Sequence, residues 1–150
     1  MNNAAATFAA VFIALYAAHS FGDHWVQTHH QACAKGAADW SGRLACARHV
    51  APLTATKAVA LAAVVLLAGV TLNPLTVVAG LAVDALSHYW ADRRTTLARL
   101  ADAIGKGDFF RLGAPRPGHD DAPHLGTGAY ALDQAWHHLW LFVAALVIAA

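Results

Sequence analysis

His19 and Asp23, His88 and Asp92, and Asp133 and His137 are three copies of one pattern, a histidine and an aspartate four positions apart, each set in an apolar stretch. Four residues is about one helical turn, so each pair projects from one face of its helix. The third pair is reversed, as it would be on a helix running the other way, and antiparallel packing then stacks histidines with histidines. Imidazole nitrogens and carboxylate oxygens converging from several helices are the ligand set of Zn, Fe, Mn or Ni centres built in bundle cores. Carboxylates also orient ligating histidines. Ionisable groups inside a bilayer each cost on the order of 2.5–3.5 kcal/mol on insertion scales, so the repetition marks a functional site.

Helices must carry these pairs, and the composition says where. The chain has 150 residues, 58% of them apolar and only 13% charged, which is outside the range of a soluble domain and predicts one integral membrane domain. Stretches of about 20 apolar residues fall near 5–25, 52–72, 75–92 and 128–150. The expected fold is therefore all-α, a four-transmembrane-helix bundle. Leu72, Asn73 and Pro74 predict a tight turn between the second and third spans, and 26–51 and 93–127 read as two long polar loops. All ten Lys and Arg lie between Lys35 and Arg116, so the positive-inside rule places both loops in the cytoplasm and both termini outside the inner membrane. Trp25, Trp90 and Trp136 then fall at the cytoplasmic interface, where an aromatic belt is expected. The N-terminal apolar run has no basic leader and continues into His19, so it reads as the first span.

Within the second loop, Leu97, Leu100, Ala101 and Ile104 follow helical spacing, which predicts a cytoplasmic extension of the third span or an interfacial helix ending at Gly105. The stretch GAPRPGHDDAPHLGTG that follows holds too many turn residues for helix and should be a loop or lid. His119, Asp120, Asp121 and His124 within it read as solvated.

Counting the rise from the outer face sets His19, His88 and His137 at about 20 Å and Asp23, Asp92 and Asp133 at about 26 Å, a histidine layer above an aspartate layer. Lys57 matches that depth on the second span. His49, just before Pro52, the expected first helical residue of that span, would hang over the cytoplasmic mouth. Asp84 is one turn deeper than His88, with only His88 and Lys57 as neighbours in reach. The candidate metal ligands are thus His19, Asp23, His49, Asp84, His88, Asp92, Asp133 and His137, and the candidates for acid–base or electrostatic work are Asp23, Asp92, Asp133 and Lys57. Gln27, Trp25 and Gln134 flank the pairs as anchors or outer partners. His24, His29, His30 and His138 read as solvated or interfacial. Cys33 and Cys46, with twelve residues between them, match no compact zinc spacing and read as unpaired thiols.

The acidic residues are nine aspartates with no glutamate, the net charge is +1, and there is no basic tract, so nucleic acid is not an expected partner. The lipid bilayer is. No Ser-His-Asp arrangement or Gly-rich phosphate loop competes as a catalytic device.

The strings H19-S-F-G-D23-H-W-V-Q27, H88-Y-W-A-D92-R-R and D133-Q134-A-W-H137 resemble the motifs of a family of small multi-pass bacterial membrane proteins, with phage relatives, classed as a domain of unknown function. The resemblance covers nearly the whole chain, including His49. It implies a membrane location and the same His/Asp set without naming a reaction. A more distant similarity is to inner-membrane metal-dependent hydrolases, which also carry His and Asp on membrane helices.

Three classes of function follow. The first is a membrane-embedded hydrolase using a divalent transition metal such as Zn on a lipid-linked ester or phosphate, with Lys57 facing the anionic group. The second is a carrier or sensor of metal ions or protons, in which Asp84 marks a path outward and a homo-oligomer supplies the scaffold that four spans lack. The third is a structural or holin-like accessory protein whose polar network holds four helices in register.

Overall fold

A computed structural model describes residues 4–116, 118 and 126–150. Every regular element among them is helical: α1 (Ala4–Phe21) running into a π-helical turn (Gly22–Val26), α2 (His29–Ala34), α3 (Trp40–Ala68), α4 (Pro74–Asp92), α5 (Thr95–Ala103), α6 (Gly107–Arg111) and α7 (Gly128–Ala149). Three helical stretches are long and apolar enough to cross a membrane, Ala4–Val26, Trp40–Ala68 and Gly128–Ala149. This suits a membrane protein. The all-α expectation is met, with helix ends on α1, α4 and α7 close to those read from the apolar runs.

α4 packs against both α7 and α3, while α1 packs against α3 and α7. One end of the bundle is wholly apolar, its core made of Val11, Leu15, Leu61, Leu141, Ala144, Ala145 and Ile148. Small residues let the helices close up there. A Cβ on Gly80 would lie 2.4 Å from Ile148 Cγ1 and 2.9 Å from the Ala144 carbonyl, so α4 meets α7 with almost no side chain between them. Large apolar side chains such as Ile13, Val59, Leu67, Val78 and Leu86 cover the outside, as a lipid-facing surface requires.

The segment 26–51 is not the irregular loop its polarity suggested. Thr28 and Gln31 form a reciprocal capping box that starts α2, and Asp39 caps α3 by accepting from the Gly42 amide at 2.8 Å. α3 therefore begins twelve residues before Pro52, which lies inside the helix instead of opening it. Proline removes the amide that would have bonded to the carbonyl four residues earlier. That carbonyl, on Arg48, accepts instead from the Gln31 side-chain amide at 2.9 Å, so the helix runs on.

α3 ends at Ala68, short of the expected Leu72, because Gly69 takes φ +67 and turns the chain. Asn73 then caps α4, with Pro74 in its first turn. After α4 the chain bends sharply at Arg94, which holds φ +55, and enters α5 with Leu97 and Ala101 buried. Gly105 at φ +73 ends that stretch as expected, and the short α6, which the sequence pattern did not reveal, follows. Residue 117 and residues 119–125 lie outside the described residues, and with them the calls on His119, Asp120, Asp121 and His124.

Candidate metal centre

The bundle end opposite the apolar core is where the polar residues meet. On α1 the pattern is shaped by the π turn, in which the Gln27 amide donates to the Gly22 carbonyl at 3.0 Å, five residues back. Such a widened turn redirects the side chains it carries and recurs at functional sites. Asp23 is the second residue of this turn. Gly22 allows the turn to sit against α3, since a Cβ there would come within 2.2 Å of Leu53 Cδ1.

Each expected pair is in contact along its own helix: His19 Nε2 to Asp23 Oδ2 is 3.5 Å, His88 Nε2 to Asp92 Oδ2 is 3.1 Å, and His137 Nε2 to Asp133 Oδ1 is 3.4 Å. The three pairs converge. The His88 ring lies 5.4 Å from His19, 3.9 Å from His137 and 5.2 Å from His49, so the histidines do stack with histidines, and α3 adds His49 to the group. His19, His49, His88, His137 and Asp92 are all buried.

The tightest arrangement is a triangle of three atoms from α3 and α4. His49 Nε2 and His88 Nε2 are 3.1 Å apart, and Asp92 Oδ2 lies 3.3 Å from the first and 3.1 Å from the second. A metal with bonds of about 2.0–2.1 Å to nitrogen has tetrahedral ligand–ligand edges of about 3.3–3.4 Å, so the triangle has nearly the size of one coordination face. Asp23 Oδ1 borders it, 2.9 Å from His49 Nε2 and 3.5 Å from His88 Nε2. Despite these short distances, Asp23 Oδ1, Asp92 Oδ2, His137 Nε2 and both His19 ring nitrogens lack hydrogen-bond geometry to any partner among the described residues. Buried polar atoms are nearly always paired, so unpaired imidazole and carboxylate atoms gathered at one spot fit an ion held among them. Among the described residues, three groups of side chains could hold a metal ion: His19, Asp23 and His88; His49, His88 and Asp92; and Asp92, Asp133 and His137.

No family model matches the chain. No curated protein and no solved structure matches it either. The chemistry of the centre is therefore read from the chain's own side chains.

Asp84 and Lys57 stand apart from the cluster. Lys57 Nζ donates to Asp84 Oδ2 at 2.6 Å, and both are buried, so each neutralises the other between the centre and the apolar end. Lys35 reaches the centre directly, its Nζ 2.8 Å from Asp92 Oδ1. Sequence reasoning passed over it. Its signal is faint: Lys35 is the only Lys or Arg in the first 42 residues. The Arg93 guanidinium donates to the backbone carbonyls of Lys35, at 2.7 Å, and Ala37, while Arg94 donates to that of Ala32 at 2.9 Å. These bonds pin α2 and Lys35 over the centre.

A cleft of about 810 Å³ opens beside the cluster. Asp23, Asp92 and Asp133 reach into it, with Lys35, Arg94, Gln27 and Gln134 around them and Leu97, Ala98 and Phe110 among its apolar walls. Of the flanking residues, Trp25 is exposed, and Trp136 stacks on Trp90 at 4.7 Å while its indole N–H donates to the Ser87 carbonyl at 3.4 Å. His24, His29 and His30 are exposed and outside the cluster. His138 is half-buried and packs on Tyr16 at 4.8 Å. Both cysteines are free thiols, Cys33 exposed and Cys46 buried.

Proposed function

We propose that the protein is a membrane-embedded, metal-dependent hydrolase that cleaves an ester or phosphate-ester bond in a membrane-anchored substrate. The observation that carries this is the triangle of His49, His88 and Asp92 beside an open cleft. Three protein ligands leave a coordination position for water, as in catalytic rather than structural metal sites. Zn is among the metals that such a set of two imidazoles and a carboxylate suits.

A metal ion there would lower the pKa of its bound water and polarise the bond to be cut. Asp23 borders the remaining position through Oδ1, and its Oδ2 backs on to His19 at 3.5 Å. Asp23 is thus placed to take the proton from the attacking water, with His19 behind it, and to return it to the leaving oxygen. Lys35 and Arg94 supply positive charge at the cleft for an anionic headgroup, and the apolar walls suit the start of an acyl or prenyl chain.

The reading includes four spans, with α4 as the fourth. Its 19 residues extend about 28 Å. Its ionisable groups Asp84, His88 and Asp92 all turn inward, where partners meet them. The site end, with α2, α5 and α6, then faces the cytoplasm and both termini face out, as the distribution of Lys and Arg favours. A carrier is less well supported, because the Lys57–Asp84 pair and the apolar core beyond it close the way outward.

The test is metal-dependent lipid turnover. Protein reconstituted with Zn²⁺ in vesicles of bacterial polar lipid extract should convert a lipid class, detected by mass spectrometry, and His88→Ala should abolish it. If the metal-replete protein leaves the whole extract unchanged, the hydrolase reading falls.

A further inference from the structure

His88 and His137 lie ring against ring, their centroids 3.9 Å apart and their planes 21° from parallel. The lone pair of an imidazole Nε2 lies in the ring plane. Two nearly parallel rings whose Nε2 atoms face the same carboxylate therefore aim side by side and do not converge on one ion. Asp92 meets them with different oxygens: Oδ2 is 3.1 Å from His88 Nε2, and Oδ1 is the nearer oxygen to His137 Nε2, at 3.9 Å.

We infer that the chain binds a second divalent transition-metal ion next to the first, held by His137, Asp133 and Asp92 Oδ1, with Asp92 bridging the two. This rests on the metal reading above and extends it to a two-ion centre. His137 is 2% exposed and its Nε2 has no hydrogen-bond partner among the described residues, although Asp133 Oδ1 is only 3.4 Å away. Paired ions sit about 3.5–4 Å apart in two-metal hydrolases, a separation comparable to the 3.9 Å between the stacked ring centroids. The first position is nitrogen-rich through His49 and His88. The second is oxygen-rich and suits Mn²⁺ or Fe²⁺ as well as Zn²⁺.

Lys35 gives the inference a direction. Its ammonium stands 2.8 Å from Asp92 Oδ1, the oxygen that the second ion needs, so lysine and metal compete for one atom. Binding of the second ion would release Lys35 toward the cleft, where it can meet an anionic substrate.

The experiment is metal stoichiometry on detergent-purified protein, stripped with chelator, titrated with Zn²⁺ and separately with Mn²⁺, and measured by elemental analysis. Wild type should saturate at two ions per chain and His137→Ala at one. Asp133→Asn, a near-isosteric change at a side chain still 27% exposed, should also hold one ion and guards against a His137 variant that misfolds. Lys35→Ala should keep both ions and bind the second several-fold more tightly. The Mn²⁺ form of wild type should show the electron paramagnetic resonance of a spin-coupled pair, which Asp133→Asn loses. Saturation at one ion, or two ions retained in both His137→Ala and Asp133→Asn, overturns the second position. One ion with lipid turnover would sink this inference and leave the hydrolase standing, whereas two ions without turnover would do the reverse.

Discussion

Gln31, 21 positions upstream of Pro52, makes good the hydrogen bond that the proline takes away. Pro52 has no amide to offer the Arg48 carbonyl, and the Gln31 side chain donates to that oxygen at 2.9 Å. Gln31→Ala loses this bond and also the one its Oε1 accepts from the Thr28 amide, and should therefore destabilise the protein by about 2 kcal/mol. In Pro52→Ala the amide returns, and the same Gln31 change should cost about 1 kcal/mol less, the capping-box share alone. Thermal unfolding of the two single variants and the double gives the coupling, and additive effects would show that Gln31 does not serve this carbonyl.

Lys57 and Asp84 should behave as one unit. Lys57→Met leaves a buried carboxylate alone and should cost about 3–5 kcal/mol, while Lys57→Met with Asp84→Leu should recover most of that. Metal content should be unchanged in the double variant, since neither residue belongs to a ligand group. Loss of metal there would place the pair within the centre.

Gly22 is expected to be as sensitive as a ligand. A methyl group at this position meets Leu53 at 2.2 Å and must push the π turn off α3, carrying Asp23 with it. Gly22→Ala should cost about 1–3 kcal/mol and cut turnover more sharply than metal content. Leu53→Ala added to it should restore activity in part. A fully active Gly22→Ala would show that the turn's position does not govern Asp23.

The native thiols can report the topology. Cys33 is exposed on α2 and Cys46 is buried. A membrane-impermeant maleimide should label Cys33 in inverted membrane vesicles and not in intact cells, with Cys46 protected in both. Labelling of Cys33 in intact cells would reverse the orientation.

Much of this architecture was legible because the signals are local. Helical spacing alone pairs His19 with Asp23, His88 with Asp92 and Asp133 with His137, and the antiparallel order of the third pair predicts the stacked rings. Asp84 had two possible partners by depth, and Lys57 is the one it takes. What escaped is set by tertiary path. Lys35 reaches Asp92 only because α2 folds back over α4, tied there by Arg93 and Arg94, and nothing in the neighbourhood of residue 35 announces a contact 57 positions away. The early start of α3 escaped for a similar reason, since Pro52 reads as a helix opening unless the distant Gln31 is known to serve the carbonyl it frees.

The ion pair between Lys57 and Asp84 bears on biogenesis. The two residues sit on consecutive helices joined by the short link 69–73, so they can meet before the rest of the chain is in place. Alone, each would oppose entry into the bilayer by about 2.5–3.5 kcal/mol. Entering together as a hairpin, α3 and α4 present a neutralised pair to the translocon. On the four-span reading, α4, which is not among the three helices apolar enough to cross by themselves, would gain its place in the membrane from the helix synthesised before it.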